Sequence, residues 1–86
     1  MRALFIGGTV DNSELDMEGR TPPVNYPPDG GMAHGRYRLF EVGSSGGEPV
    51  YAVYAAPGLA PDAVARVIDE RDYPRRFAVK SREPAP

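Results

Sequence analysis

Histidine is the side chain most often used for acid–base catalysis near neutral pH, and this sequence contains one, His34. A catalytic histidine needs a nucleophile and an orienting carboxylate held beside it, and the residues around His34 do not supply such a set. The chain has no cysteine, which excludes thiolate catalysis, disulfide bonds and thiolate metal ligands. The sequence therefore predicts no catalytic residues, and His34 is interpreted as an ordinary loop residue.

A glycine-rich turn, Gly7-Gly8-Thr9, directly follows an apolar run. Loops that bind phosphate through their backbone amides stand in the same position after a strand. It lacks the lysine and the longer glycine spacing of a Walker A motif, and it also lacks the Rossmann spacing. The residues after it have the pattern of a strand, so the segment is predicted to be a hairpin turn. The alternative function that remains open is a small-ligand or nucleotide binding protein that uses the Gly7–Asn12 turn with Arg36 and Arg38.

Two clusters of charged residues are typical of solvent-exposed faces. The acidic cluster does not follow the EF-hand spacing, because Asp16 stands where that loop requires glycine. The basic cluster surrounds Phe77, but a formal net charge of −2 gives the chain no general attraction to nucleic acid. We therefore predict no metal and no cofactor, and a nucleic-acid partner is disfavoured. The acidic cluster is Asp11, Glu14, Asp16 and Glu18, and the basic cluster is Arg75, Arg76, Lys80 and Arg82.

The sequence contains no membrane segment and no recognisable secretion signal. No run approaches the roughly 18 apolar residues that a membrane span needs, and the apolar run before Gly7 is too short for a signal peptide. The absence of cysteine fits a reducing compartment. Nine of the ten basic residues are arginine, and glycine and proline are abundant, which favours a bacterial or phage source. We predict a protein of the bacterial cytoplasm.

The strongest structural signal is a predicted hairpin of Arg36–Val42 and Val50–Ala55 around a Gly/Ser-rich turn. In Val50–Ala55 both alternating sets of side chains are apolar or aromatic, so this strand requires cover on both faces. The sequence predicts one helix, from Pro61 to about Asp72, with an apolar stripe of i, i+3, i+4 spacing. One helix covers one face only.

The other elements complete a predicted α+β domain over residues 1–80. Arg2–Ile6 and Ser13–Glu18 are expected to form a first hairpin. Residues 19–35 are expected to form a Pro/Gly-rich loop that is a solvated connector, packs along the sheet or presents itself to a partner. Residues 75–80 fit either a terminal edge strand or a segment lying on the surface, and residues 81–86 a disordered tail. The expected fold is a small antiparallel sheet of about four to five strands in two hairpins, with the helix on one face.

The uncovered second face of the central hairpin motivates the leading functional prediction. Exposed apolar surface usually marks a partner site or self-association, so we predict a non-catalytic interaction protein that dimerises or binds a host protein. The residues predicted to contact the partner are Phe40, Tyr51, Val53, Tyr26, Arg36 and Arg38.

The order of motifs resembles that of small phage- or prophage-encoded proteins of unknown function. The residues that carry the resemblance are A-L-F-I-G-G-T-V-D-N, the Pro-rich loop, Y-R-L-F-E-V, V-Y-A-V-Y and the short helix, although this turn lacks the tryptophan common in that group. The resemblance implies an accessory protein of a mobile element and transfers no functional residues.

Overall fold

A computed structural model describes residues 1–28 and 36–85, within which six strands and two helices are formed. The predicted loop histidine, His34, lies outside the described residues. The strands are β1 (Arg2–Ile6), β2 (Glu14–Asp16), β3 (Asn25–Tyr26), β4 (Tyr37–Ser45), β5 (Glu48–Ala55) and β6 (Ser81–Pro84), and the helices are α1 (Pro61–Glu70) and α2 (Tyr73–Arg76).

The strands form one sheet in the order β2-β1-β5-β4-β3, with β6 pairing further along β4. The α+β class, the two predicted hairpins and the helix on one face are confirmed. The sheet is mixed and not entirely antiparallel, because β1 runs parallel to β5. This arrangement places β5, which is apolar on both sides, between two neighbouring strands at the centre of the sheet.

The central hairpin turns tightly at Gly46 and Gly47, whose φ angles are +60° and +80°. Two consecutive residues with positive φ are what a two-residue hairpin turn requires, and glycine adopts them without steric cost. A different constraint acts at Gly43, where a Cβ atom would lie 2.6–2.9 Å from three ring atoms of Tyr51. The glycine in β4 therefore leaves room for a buried tyrosine on β5.

A β-bulge in β4 explains the mixed side-chain alternation of this strand. The register with β5 shifts between Leu39 and Glu41, so Phe40 has no partner of its own. Phe40 and Glu41 consequently both project to the helix face, where Phe40 packs against the core. Leu39 and Val42 project to the opposite face.

Helix α1 covers the helix face of β1 and β5. It begins at Pro61 as predicted, but it ends at Glu70 and not at Asp72, where φ is +59°. Val64 and Ile68 are its buried residues. The helix-face core consists of Leu4, Ile6, Tyr51, Val53, Val64, Ile68 and Tyr73.

The opposite face of the sheet is covered by the same chain. Leu15, Met17 and Tyr26 pack against the core formed there by Ala3, Phe5, Tyr37, Leu39, Ala52 and Tyr54. The Tyr54 hydroxyl donates a hydrogen bond of 2.7 Å to the carbonyl oxygen of Pro23. β2 and the described part of the proline-containing loop therefore supply the second cover, which agrees with the alternative in which this loop packs along the sheet.

This second cover overturns the expectation that Tyr51 and Val53 contact a partner. Both side chains are completely buried within a single chain. The two-sided apolar character of β5 is thus the pattern of a central strand enclosed by α1 on one face and by the loop on the other. It does not indicate an interface.

The C-terminal part of the chain also differs from expectation. Residues 73–76 form the short helix α2, in which Pro74 fits the first turn, so the terminal strand predicted over residues 75–80 is not formed. Residues 81–84, expected in a disordered tail, form β6 and pair with residues 41–44 of β4. This pairing supplies hydrogen-bond partners to an edge that β3 leaves open.

Candidate functional site

An open groove with a volume of about 700 Å³ lies on the helix face of the sheet. We call it the Phe40 groove. It is lined by residues 38–41 of β4, by residues 55–59 after β5, by Pro61, Val64 and Ala65 of α1, and by Arg82, Pro84 and Ala85 at β6. Three parts of the chain that are distant in sequence therefore meet around one concave surface.

The groove exists because α1 is narrower than the sheet it covers. Val64 closes the core over β1 and β5, while the bulge in β4 carries Phe40 to the margin of this cover. Phe40 is only partly buried, with one side against the core. Leu59, 39% exposed, adds apolar surface at the end formed by the loop before α1. The result is an apolar floor on rigid secondary structure.

A buried ion pair holds β6 as one wall of the groove. Arg82 on β6 donates two hydrogen bonds to the Glu41 carboxylate, from Nε to Oε2 at 3.0 Å and from Nη2 to Oε1 at 3.1 Å. The hydroxyl of Tyr51 donates a third, of 2.7 Å, to Oε2. Burial and the adjacent carboxylate of Glu41 raise the pKa of Tyr51 well above its ordinary value. Glu41 is the one charged residue that is buried among the described residues. Its hydrogen bonds to Arg82 and Tyr51 offset the cost of burying its charge.

The charge at the other side of the groove belongs to Arg38. Its side chain is exposed at the start of β4, on the same face as Phe40. Within residues 1–28 and 36–85, Arg38 makes no ion pair. Of the two arginines that line the groove, Arg82 is bound to Glu41, and Arg38 is the one without an ion-pair partner in the part of the chain that the structure describes.

The Gly7–Asn12 turn joins β1 to β2 as predicted, and the amides of Gly7, Val10, Asp11 and Asn12 are hydrogen-bonded within the chain. The N–H of Gly7 donates a 2.7 Å hydrogen bond to Oδ1 of Asp11. This amide and the Arg71 guanidinium, at 2.9 and 3.0 Å from the carboxylate oxygens, hold the pKa of Asp11 below its usual value. The chain's own carboxylate therefore occupies the position that an anion would take.

Tyr37 closes the same turn from the opposite face of the sheet. Its hydroxyl donates to the carbonyl oxygen of Gly7 at 2.6 Å and accepts from the N–H of Val10 at 3.1 Å. The turn does not line the Phe40 groove, whereas Arg38 does. The structure therefore does not bring the two halves of the alternative ligand site into one cavity.

Several members of the two charged clusters form ion pairs outside the groove. Glu14 pairs with Arg2 and Arg76, and Arg75 pairs with Asp72. Among the described residues, no three His, Cys, Asp or Glu side chains are placed to hold a metal ion. No described helix has the length and the apolar character that crossing a bilayer requires.

The predicted partner-binding residues are thus divided among different environments. Phe40 and Arg38 line the groove, while Tyr51 and Val53 are buried beneath α1. Tyr26 lies on the opposite face, beside a smaller cavity of about 410 Å³. Arg36 lines neither cavity, and its buried Nε has no hydrogen-bond partner among the described residues.

Sequence reasoning missed the groove residues contributed by the loop before α1, by α1 itself and by β6. Leu59 carried a weak signal, because it is a large apolar residue in a Pro/Gly-containing loop just before a helix. Ala65 and Arg82 carried none, since their positions depend on how α1 crosses the sheet and on β6 pairing with β4.

The chain was compared with protein-family models, curated proteins and solved structures, and no match was found in any of the three.

Proposed function

We propose that this protein is a non-catalytic interaction module that binds an apolar segment of another protein in the Phe40 groove. The observation that carries the proposal is that the half-buried Phe40 and the exposed Leu59 both line one open, mainly apolar groove. Apolar surface that a chain leaves uncovered in a concave site is where a partner gains most from displacing water.

The size of the groove supports a short segment as the occupant. Pockets that hold one drug-sized ligand have volumes of about 300–1,000 Å³, and the groove, at about 700 Å³, falls in that range. A short segment of several residues, and not a single side chain, fills such a space. The mode of action we propose is occlusion: the segment held in the groove is withdrawn from its other contacts.

The groove is preorganised, which favours binding. Its floor is on two hydrogen-bonded strands, and its walls are helix α1 and the ion-paired strand β6. Ordering costs on association are small when the receptor is already rigid. The resemblance to phage-encoded proteins supports a bacterial host protein as the partner.

Self-association is the form of interaction that the fold supports less. The sheet face expected to pair two copies is covered by Leu15, Met17 and Tyr26 of the same chain. We therefore expect a monomer of 9.3 kDa by size-exclusion chromatography with light scattering.

Selection from a random library of displayed 12-residue peptides tests the proposal. We expect enriched peptides that bind Leu59→Gln about three- to eightfold more weakly than the wild type, because covering the 39% of Leu59 that is exposed contributes about 0.6–1.2 kcal/mol. Ala65→Gln, which places a polar side chain in the groove from an exposed helix position, is a second blocking variant.

Val24→Gln is the matched control, since Val24 is similarly exposed at 46% and does not line the groove. Peptide affinity for this variant is expected to equal that for the wild type. Failure to enrich any peptide, or peptides indifferent to both Leu59→Gln and Ala65→Gln, contradicts the proposed function.

A further inference from the structure

We infer that the segment bound in the Phe40 groove carries an acidic side chain close to its apolar anchor, and that Arg38 pairs with this carboxylate. The inference rests on the proposed function and specifies the chemistry of the partner.

The first step is the charge of the groove. Of its two lining arginines, Arg82 has its guanidinium engaged by Glu41 through two hydrogen bonds. Glu41 is buried and its negative charge is compensated by the paired Arg82 guanidinium, so Glu41 does not repel an approaching carboxylate. Arg38 is exposed and has no ion-pair partner within the described residues. The groove therefore attracts an anionic group at Arg38 and apolar groups elsewhere.

The second step is the distance between the two attachment points. Arg38 and Phe40 are two residues apart on one face of β4, which in a strand corresponds to about 6.6 Å. An extended peptide has the same repeat along its own backbone. Its apolar anchor over Phe40 and its carboxylate at Arg38 are then two positions apart, so the expected motif is apolar–any–acidic, in either chain direction.

The third step is the geometry of the cation. A guanidinium forms two parallel hydrogen bonds with a carboxylate, which fixes orientation as well as charge. A peptide in which glutamine replaces the acidic residue keeps its apolar contact with Phe40. It loses the paired hydrogen bonds between its carboxylate and the Arg38 guanidinium. Arg38 therefore acts as the specificity determinant, and the contacts around Phe40 supply the affinity.

The test repeats the 12-residue display selection on the wild type, on Arg38→Glu and on Arg66→Glu. Arg66 is an exposed arginine of α1 that does not line the groove, so its variant matches the change in net charge. Wild type and Arg66→Glu are expected to enrich Asp or Glu two positions from an apolar residue. Arg38→Glu is expected to enrich Lys or Arg at that position.

A synthetic wild-type-selected peptide and its Glu→Gln version then give affinities by fluorescence polarisation. The Glu→Gln peptide is expected to bind the wild type about two- to fivefold more weakly, as for an exposed ion pair, and the two peptides are expected to bind Arg38→Gln equally. Arg38 is exposed, so neither of its variants is expected to affect folding.

Apolar peptides that lack a charge preference and bind Arg38→Glu unchanged would overturn this inference and leave the proposed function standing. A selection that enriches nothing overturns the proposed function itself. The two failures are therefore distinguishable in one experiment.

Discussion

The buried ion pair between Glu41 and Arg82 offers the sharpest test of how the groove wall is held. Replacing Glu41 by glutamine keeps the shape of the side chain and removes its charge. Tyr51 retains an oxygen acceptor, but Arg82 loses one of its two hydrogen bonds, because an NH2 group cannot accept.

The magnitude follows from the burial of the two partners. Hydrogen bonds to charged groups contribute about 1.5–3 kcal/mol when buried, but the Arg82 side chain is 41% exposed and regains water. We therefore expect Glu41→Gln to lower the free energy of unfolding by about 1–2 kcal/mol. For a domain of this size, the melting temperature falls by roughly 4–8 °C per kcal/mol.

Urea denaturation and amide hydrogen exchange measure the two consequences. The N–H groups of Lys80 and Ala85, bonded to Ser44 and Phe40 at either end of β6, are expected to exchange faster in Glu41→Gln.

Arg20→Gln is the control for this prediction, because it breaks the exposed Arg20–Glu48 pair and is expected to change stability by less than about 0.5 kcal/mol. If Glu41→Gln has no larger effect than Arg20→Gln, and the β6 amides are unaffected, the network does not hold the wall.

Three further predictions concern the core and the turn. Gly43→Ala is expected to cost about 1–3 kcal/mol in urea denaturation, because the added Cβ overlaps the fully buried ring of Tyr51; an unchanged midpoint would refute this packing. Burial raises the pKa of Tyr54 to about 12 and also raises that of Tyr51. Both tyrosines remain neutral in the folded chain above the unfolded pKa of about 10, so stability is expected to be complete below pH 10 and to fall as the pH rises beyond it. Equal melting temperatures at pH 9 and pH 11 would contradict this. The lowered pKa of Asp11 contributes stability above about pH 4 that is lost on acidification, so Asp11→Asn is expected to flatten the acid limb of a stability–pH curve, and an unaltered limb would count against the role of this carboxylate.

Much of the fold could be predicted from local pattern. The alternation of apolar and polar side chains, with the turn residues between them, predicted both hairpins. Pro61 and the apolar stripe after it predicted the start of α1. These features depend on residues close together in sequence, where steric and hydrogen-bonding preferences act directly.

The second sheet face could not be predicted in the same way. Part of its cover comes from Tyr26, which reaches Tyr54 only through the long connection between β2 and β4. Periodicity shows that Val50–Ala55 requires two covers, but it does not show which segment supplies the second one. The parallel pairing of β1 with β5 was missed for a similar reason, since the alternation of side chains does not indicate whether two strands run parallel or antiparallel.

The groove depends on two events that leave little trace in the sequence. The bulge at Phe40 inserts one residue without a glycine or proline to mark it, and it changes which face Glu41 occupies. The pairing of β6 with β4 is stabilised by Glu41 and Arg82, which are far apart in the chain. Phe40 was named together with Tyr51 and Val53 because of the two-sided apolar character of the hairpin, and Arg38 as a cation for a bound ligand. Tyr51 and Val53 were misassigned because burial on both faces looks the same whichever segment supplies the cover.

The most direct test of the account is amide chemical-shift mapping of the 15N-labelled chain with the tripeptide acetyl-Leu-Gly-Glu-amide, with acetyl-Leu-Gly-Gln-amide as the control. The account predicts that the largest shifts lie at residues 38–41, Leu59, Ala65 and Arg82, and that the glutamate peptide binds more tightly than the glutamine peptide. Shifts centred on the Gly7–Asn12 turn or around Tyr26, or none at the Phe40 groove, would contradict it.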